Sequence, residues 1–239
     1  IWAFNKMSRA AQRLTNGDTT VSPTIGLDVG STTVKAIVMM AKSRDVAWSA
    51  YRRHEMRQAS VCHDFLNDIE AAFPEIPRHE FHVFVTGSGG TAVAEAIGAH
   101  FVPETSALCR AAEILHPETR TIIELGGEDA KIIYFSGGNV EQRMNGVCAG
   151  GTGSFIDQMA SLLHTDATGL NEYAKGHEVI YPIASRCGVF AKTDIQPLIN
   201  DGARKEDLAA SIFQAVVNQT IAGLACGKPI RGHVAFLGG

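Results

Sequence analysis

The sequence lacks three features that would point to nucleic acid, a membrane or secretion. It has no excess of basic residues, because the formal net charge is −4 over 239 residues, so nucleic acid is not expected as a main partner. No apolar run approaches the roughly 20 residues that a helix needs to span a bilayer, and no secretory signal core is visible in the first residues. We therefore expect a cytoplasmic protein without a membrane partner.

Paired cysteines are also missing. The chain has five cysteines and no Cys-x-x-Cys pair. An odd number in a chain of this length indicates a reducing compartment and argues against a disulfide framework. The hydrophobic content of 45% and the charged content of 19% are those of an ordinary globular protein. The length suits one large domain or two small lobes.

Two segments share one pattern, in which an acid, a glycine and a lysine lie between two apolar strands. The spacing is acid-x-Gly-x-x-x-x-Lys in both segments. Internal similarity of this kind predicts a duplicated α/β fold with two related lobes. A constant offset of 96 residues pairs Asp28 with Glu124, Gly30 with Gly126 and Lys35 with Lys131.

The duplication and the apolar periodicity divide the chain. We interpret residues 1–23 as an extension or linker, 24–120 as the first lobe and 121–239 as the second lobe. A terminal strand that runs into Gly238 and Gly239 with nothing after it predicts a truncated second lobe. Among the predicted helices are 63–72, 92–97, 105–115, 196–200 and 206–224.

The turn after the first strand carries groups suited to binding phosphate. Backbone amides and hydroxyls in such a turn hold a phosphate, and a divalent cation lies near the acid at the strand end. Taken alone, the segment is also compatible with a plain hairpin whose polar residues are solvated. The candidate binding residues are Asp28, Gly30, Ser31, Thr32, Thr33 and Lys35.

The second turn again places acids beside glycines. Glu124 is suited to orienting or activating a water, and Asp129 to holding a metal ion. Gly126 and Gly127 lie between them. Two such turns across a cleft are expected to hold both ends of a polyphosphate. Neither turn has the GxxxxGK[ST] pattern, so a P-loop is not predicted.

A glycine-rich stretch at 144–157 completes the candidate site. Gly151, Thr152 and Gly153 stand at the start of a predicted helix, where free amides would favour an anion. Cys148 lies just before that start. One cysteine is not a metal site, so this thiol needs further ligands to hold a metal.

Three segments together resemble the acyl-CoA dehydratase activase family. They read Gly-Leu-Asp-Val-Gly-Ser-Thr-Thr-Val-Lys at 26–35, Glu-Leu-Gly-Gly-Glu-Asp-Ala-Lys at 124–131 and Met-Asn-Gly-Val-Cys-Ala-Gly-Gly-Thr-Gly at 144–153. This family contains the ATPase activators of 2-hydroxyacyl-CoA dehydratases and relatives of the ATPase subunits of benzoyl-CoA reductase. The cysteine-glycine motif is the specific part, whereas the first turn alone would fit any actin, Hsp70 or sugar-kinase-like ATPase.

The resemblance implies an actin-like, ribonuclease H-like ATPase fold whose two lobes enclose a cleft for ATP or ADP with Mg²⁺. It also implies a homodimer that shares one [4Fe-4S] cluster, with Cys148 and Cys187 as the ligands from each chain. ATP would drive a conformational switch that passes one electron to an acyl-CoA dehydratase or reductase component. The residues implied beside the nucleotide include Gly151, Thr152, Gly153, Gly238 and Gly239. The cysteines that match nothing in the family pattern, and that we interpret as structural, are Cys62, Cys109 and Cys226.

The chain departs from the family pattern at two positions and leaves two other hypotheses open. Glu124 and Glu128 stand where many members have Asp and Gln, as in the activase modules of long fused proteins. A sugar-kinase-like phosphotransferase would use Glu124 or Asp129 as its base and would carry no cluster. A regulatory module would bind nucleotide without turnover.

Overall fold

The computed structural model describes residues 22–136, 138–145, 150–184 and 187–238. Two predicted ligand positions, Cys148 and Gly239, lie outside these residues, as does most of the predicted extension. The chain forms two compact units that divide between Ile114 and Leu115. Each unit combines one sheet with helices, so the predicted α/β class is confirmed.

The first unit is built on a five-stranded sheet with the strand order β3-β2-β1-β4-β5. The central strand β1 is antiparallel to β2 and parallel to β4. A 3-10 turn separates α1 from β4. The elements are β1 (Thr24–Val29), β2 (Thr33–Met39), β3 (Val46–Arg53), α1 (Gln58–Ala72), β4 (His82–Thr86), α2 (Gly90–Ile97), β5 (His100–Phe101) and α3 (Glu104–Leu115).

Alternation along β1 fixes the register of this sheet. Ile25, Leu27 and Val29 are buried, and they belong to one core cluster with Phe65 and Ile69 of α1. A shift of one residue would turn these side chains to the opposite face, so the register is strongly specified. Asp28 therefore lies opposite Lys35 on β2 and opposite Thr86 on β4, at the end of the sheet.

The second unit repeats the same strand arrangement. Its four-stranded sheet has the order β8-β7-β6-β9, with β6 antiparallel to β7 and parallel to β9. This order matches β3-β2-β1-β4 of the first unit, so the predicted duplication is confirmed. The elements are β6 (Thr119–Leu125), β7 (Ala130–Ser136), β8 (Asn139–Met144), α4 (Gly153–Leu162), α5 (Ala167–Ala174), α6 (Gly188–Asn200), α7 (Lys205–Gln219), a π-helical turn (Thr220–Ala225) and β9 (His233–Gly238).

Helices α4, α6 and α7 pack together in the second unit. Their shared core cluster includes Phe155, Met159, Ile195, Leu208 and Ile212. Helix α7 and the π-helical turn form the single described segment that is long and apolar enough to cross a membrane by length and composition. Buried residues make up 56% of its most apolar window, as in the core helix of a globular unit.

Helix α6 begins earlier than the sequence predicts. The sequence predicts a start at residue 196, after the polar residues Lys192, Thr193 and Asp194. The helix in fact starts at Gly188 and contains Pro197 in its interior. Ala191 and Ile195 lie four residues apart and are fully buried, so tertiary packing holds the turns before the proline. Cys187 thereby becomes the N-cap residue of α6.

Candidate functional site

The β1–β2 turn is closed by a hydrogen bond from the Gly30 amide to the carbonyl oxygen of Thr33, at 2.9 Å. Lys35 Nζ lies 3.0 Å from Asp28 Oδ2. The other carboxylate oxygen, Asp28 Oδ1, is buried and has no hydrogen-bond partner among the described residues. Ser31 and Thr32 are half-buried at the tip of the turn. An unpartnered buried carboxylate oxygen beside a lysine fits a site for a hydrated cation and a phosphate.

The β6–β7 turn has the same construction. The Gly126 amide donates to the carbonyl oxygen of Asp129 at 2.8 Å. This bond is equivalent to the Gly30–Thr33 bond of the first turn, at the predicted offset of 96 residues. Lys131 Nζ lies 3.5 Å from Glu124 Oε2 and 3.2 Å from Asp129 Oδ2. Only 5% of the Lys131 side chain is exposed. The structure therefore brings both candidate catalytic acids to one buried lysine, beside Gly126 and Gly127.

A second pair of equivalent glycines ends the parallel strands β4 and β9. Gly87 has a φ of +92°, and a Cβ there would lie 2.4 Å from the carbonyl oxygen of Val29. Gly238 has a φ of +134°, and a Cβ would lie 2.2 Å from the carbonyl oxygen of Leu125. Gly238 was singled out from the sequence and Gly87 was missed. The signal for Gly87 was its place directly after an apolar strand, as for Gly238.

The start of α4 is bonded to the β6–β7 turn. The amides of Gly153 and Ser154 donate to the carbonyl oxygens of Gly126 and Gly127, both at 2.8 Å. The prediction of free amides at this helix start is therefore wrong for these two residues, because backbone carbonyls already accept from them. Thr152 is the N-cap residue and is fully buried. Gly151 has a φ of +78°, and a Cβ there would lie 2.9 Å from Gln219 Cγ of α7.

Asn145, which the sequence did not single out, is bonded to the other side of the same turn. The Ala130 amide donates to Asn145 Oδ1 at 2.8 Å, and the Asn145 amide donates to the Ala130 carbonyl oxygen at 3.0 Å. Described residues on both sides of Cys148 are thus hydrogen-bonded to the β6–β7 turn. Cys148 itself lies outside the described residues.

Cys187 is half-buried at the N-cap of α6 and forms no disulfide. The next helical turn exposes two apolar side chains, Val189 at 70% and Phe190 at 65%. Within the described ranges, no group of three or more His, Cys, Asp or Glu side chains is placed to hold a metal ion. Four thiolates are the normal complement of a [4Fe-4S] cluster. Cys187 fits such a cluster only if Cys148 and a second copy of the chain supply the other ligands.

The three cysteines interpreted as structural have different surroundings. Cys62 is only 3% exposed in the core of the first unit, and this burial raises the pKa of its thiol. Burial also raises the pKa of the Cys109 thiol, and the nearby Glu113 adds to this effect. Cys226 is exposed, with its Sγ near the carbonyl oxygens of the preceding helical turn.

Comparison with known proteins decides the family. Residues 25–239 match the BadF/BadG/BcrA/BcrD ATPase family. The chain belongs to this family. It is 30% identical over 219 residues to the (R)-2-hydroxyglutaryl-CoA dehydratase activating ATPase of Acidaminococcus fermentans, which corresponds to 90% of this chain and 82% of that protein. The predicted ATPase class is therefore confirmed.

Two solved structures resemble the chain closely. The crystal structure of component A of the (R)-2-hydroxyglutaryl-CoA dehydratase of Acidaminococcus fermentans matches with a TM-score of 0.81 and 28% identity, over 91% of this chain and 83% of that one. The activator of the 2-hydroxyisocaproyl-CoA dehydratase from Clostridium difficile, solved with bound ADPNP, matches with a TM-score of 0.76 and 28% identity, over 91% of this chain and 80% of that one. The predicted duplicated actin-like ATPase fold is confirmed, and ATP or ADP is supported as the cofactor.

Proposed function

We propose that this chain is an ATP-dependent activator that passes one electron to a 2-hydroxyacyl-CoA dehydratase or a benzoyl-CoA reductase-like partner. The observation that carries the proposal is the bonding of the β6–β7 turn to both sides of the Cys148 position. This arrangement connects candidate nucleotide-binding residues to a candidate cluster ligand. Relatives that are named dehydratase activators match about nine-tenths of the chain.

The two turns would each contribute to binding ATP with Mg²⁺. In the first turn, Lys35 would neutralise phosphate charge, and Asp28 would accept from the water shell of the cation. In the second turn, Glu124 would orient the attacking water and Asp129 would help to hold the metal. Lys131 fixes both acids, because its Nζ lies within ion-pair distance of each.

Cys148 and Cys187 from each of two copies would hold one [4Fe-4S] cluster, and a symmetric dimer supplies the four thiolates. When bound, this cluster carries a single electron. Val189 and Phe190 support the dimer, since large apolar side chains beside Cys187 are exposed in the single chain. Contact with a second copy would cover them.

A change in the bound nucleotide would move the residues on both sides of Cys148 through backbone hydrogen bonds. Loss or gain of a phosphate at the β6–β7 turn would shift Gly126 and Gly127, and the amides of Gly153 and Ser154 would follow because they are bonded to these carbonyls. The Asn145 bonds to Ala130 would carry the same movement to the other side of Cys148.

The predicted cytoplasmic location stays a prediction.

Anaerobically reconstituted protein tests this proposal. Wild type, Cys187→Ser and the matched surface control Cys226→Ser are compared for bound iron, for mass in solution and for ATP hydrolysis with no acceptor added. We expect dimers with about two irons per chain, half of a shared four-iron cluster, for wild type and the control. Cys187→Ser should lose the iron.

Two results would contradict the proposal. One is ATP consumption that occurs only when a hydroxylated acceptor is present, which would indicate a sugar-kinase-like phosphotransferase. The other is a wild-type protein that binds ATP yet stays monomeric and free of iron after reconstitution, which would indicate a regulatory module.

A further inference from the structure

Three buried polar atoms of the first unit have no hydrogen-bond partner among the described residues. They are Asp28 Oδ1, His54 Nε2 and Thr86 Oγ1. Asp28 and Thr86 lie opposite each other on β1 and β4. His54 follows β3 directly, and its amide donates to the carbonyl oxygen of Thr32 at 3.2 Å. Buried polar groups are normally hydrogen-bonded, so each of these atoms is an open position for a polar ligand at this end of the sheet.

Further hydrogen bonds join the loops that follow β1, β3 and β4. Gln58 Nε2 donates to the carbonyl oxygen of Gly30 at 3.3 Å, which ties the start of α1 to the β1–β2 turn. The Gly89 amide donates to the carbonyl oxygen of Val29 at 2.9 Å, which ties the loop after β4 to the same turn. A Cβ on Gly89 would lie 3.2 Å from the Gln58 side-chain amide. The three loops therefore meet at the first turn.

The hydrogen bonds of His54 define the chemistry of its free nitrogen. The Met56 amide donates to His54 Nδ1 at 3.1 Å, so Nδ1 is an acceptor. In the neutral ring, the proton is then on Nε2. Only 4% of His54 is exposed, which makes Nε2–H a buried donor without an acceptor. Such a donor is costly unless a ligand satisfies it.

We propose that His54 is a phosphate-binding residue, whose Nε2–H donates to an oxygen of the polyphosphate at the first turn. This inference rests on the proposed function, which puts a nucleoside triphosphate or diphosphate at that turn. Phosphate oxygens are acceptors without protons to donate, so they complement an N–H donor. Asp28 would instead face the cation.

Two substitutions of His54 separate ligand binding from support of the loop. In His54→Asn, the side-chain oxygen can accept from the amide two residues later, as Nδ1 does now, but no donor extends further. In His54→Gln, the side-chain amide places a donor near the position of Nε2 and gives up the contact with Met56. The affinity for Mg-ATP is measured by calorimetry, and the thermal unfolding midpoint is measured without nucleotide.

We expect His54→Asn to keep a near wild-type unfolding midpoint and to bind Mg-ATP about 10-fold to 100-fold more weakly, the range for a hydrogen bond to a charged group. His54→Gln should bind within a few-fold of wild type, with a lower midpoint. Wild-type affinity in His54→Asn would overturn the inference, since a water would then satisfy Nε2. A wild-type protein that binds no nucleotide would instead overturn the proposed function itself.

Discussion

The amide of Gly153 donates a hydrogen bond of 2.8 Å to the carbonyl oxygen of Gly126, and this bond joins the first residue of α4 to the β6–β7 turn. The next amide, that of Ser154, makes the equivalent bond to Gly127. The turn cannot move away from the helix start without breaking both bonds, each worth about 0.5–1.5 kcal/mol net. Substitutions at this junction should therefore alter stability and ATP response together.

Asn145 offers the most direct test of the junction. Asn145→Ala removes the oxygen that accepts from the Ala130 amide, and Ala130 is only 3% exposed. A buried amide left without its acceptor should lower the free energy of unfolding by about 1–3 kcal/mol. Asn145→Asp keeps an acceptor oxygen and serves as the matched control. Denaturant unfolding and ATP hydrolysis are measured for both, and equal behaviour of the two variants would contradict the role of this bond.

Lys131 and Lys35 occupy equivalent positions but should differ in their effect on stability. The side chains of Lys131 and Glu124 are 5% and 11% exposed, whereas those of Lys35 and Asp28 are 36% and 29% exposed. Lys131→Met removes the ion-pair partner of the buried Glu124 carboxylate and should cost about 3–5 kcal/mol. Lys35→Met should cost about 1 kcal/mol or less, because solvent screens this pair. Denaturant unfolding measures both variants. Equal losses of unfolding free energy in Lys131→Met and Lys35→Met would contradict this expectation.

Gly87 should tolerate no side chain. Gly87→Ala combines a φ of +92° with a Cβ placed 2.4 Å from a backbone carbonyl oxygen. Gly98→Ala is the control, because its φ is +66° and nothing lies within 4 Å of the added Cβ. The control should lose about 1–2 kcal/mol from the left-handed backbone alone. Gly87→Ala should lose at least twice as much and should also weaken ATP binding. Similar losses would show that the loop after β4 can shift.

Asp207 should make the second unit sensitive to acid. Its Oδ1 accepts from the amides of Glu178 and Val179 at 2.7 and 3.0 Å, and these bonds hold the pKa of the carboxyl below its usual range. The stabilisation is therefore full above the ordinary pKa of about 3.9 and is lost as the pH falls through the lower folded-state pKa.

Asp207→Asn tests this dependence with little change of shape. The variant should unfold at a lower temperature than wild type at neutral pH, and the gap should narrow as the pH falls below about 4. Thermal unfolding midpoints measured across this range check the expectation. A gap that stays constant with pH would show that the charge of Asp207 does not contribute.

Sequence reasoning succeeded where structure depends on neighbouring residues. The β1–β2 and β6–β7 hairpins were predicted because apolar alternation sets both strands and a glycine sets each turn. The repeated spacing selected Asp28, Lys35, Glu124 and Lys131, and the structure pairs each acid with its lysine across a hairpin. The two partners of each pair are close in sequence, so one short sequence motif includes both of them.

The rest of the site depends on partners that are distant in sequence. His54 meets Thr32, and Asn145 meets Ala130, only after the strands have paired. Strand β8 was missed because it is a largely exposed edge strand rich in polar residues. The first half of α6 was missed because it contains the polar run Lys192, Thr193 and Asp194, whereas burial of Ile195 holds these turns in the helix.

The unequal burial of the two lysine–acid pairs means that ionic strength acts more strongly on the pair in the first unit than on the pair in the second. Mobile ions screen exposed charges over about 10 Å at 0.1 M salt, so added salt weakens the contact of Lys35 with Asp28 and leaves that of Lys131 with Glu124 largely intact. The first turn, where we propose that phosphate binds, then loosens, while the turn that carries Glu124 and Asp129 keeps its shape. A salt titration would thus lower nucleotide affinity and spare the turnover of whatever nucleotide remains bound.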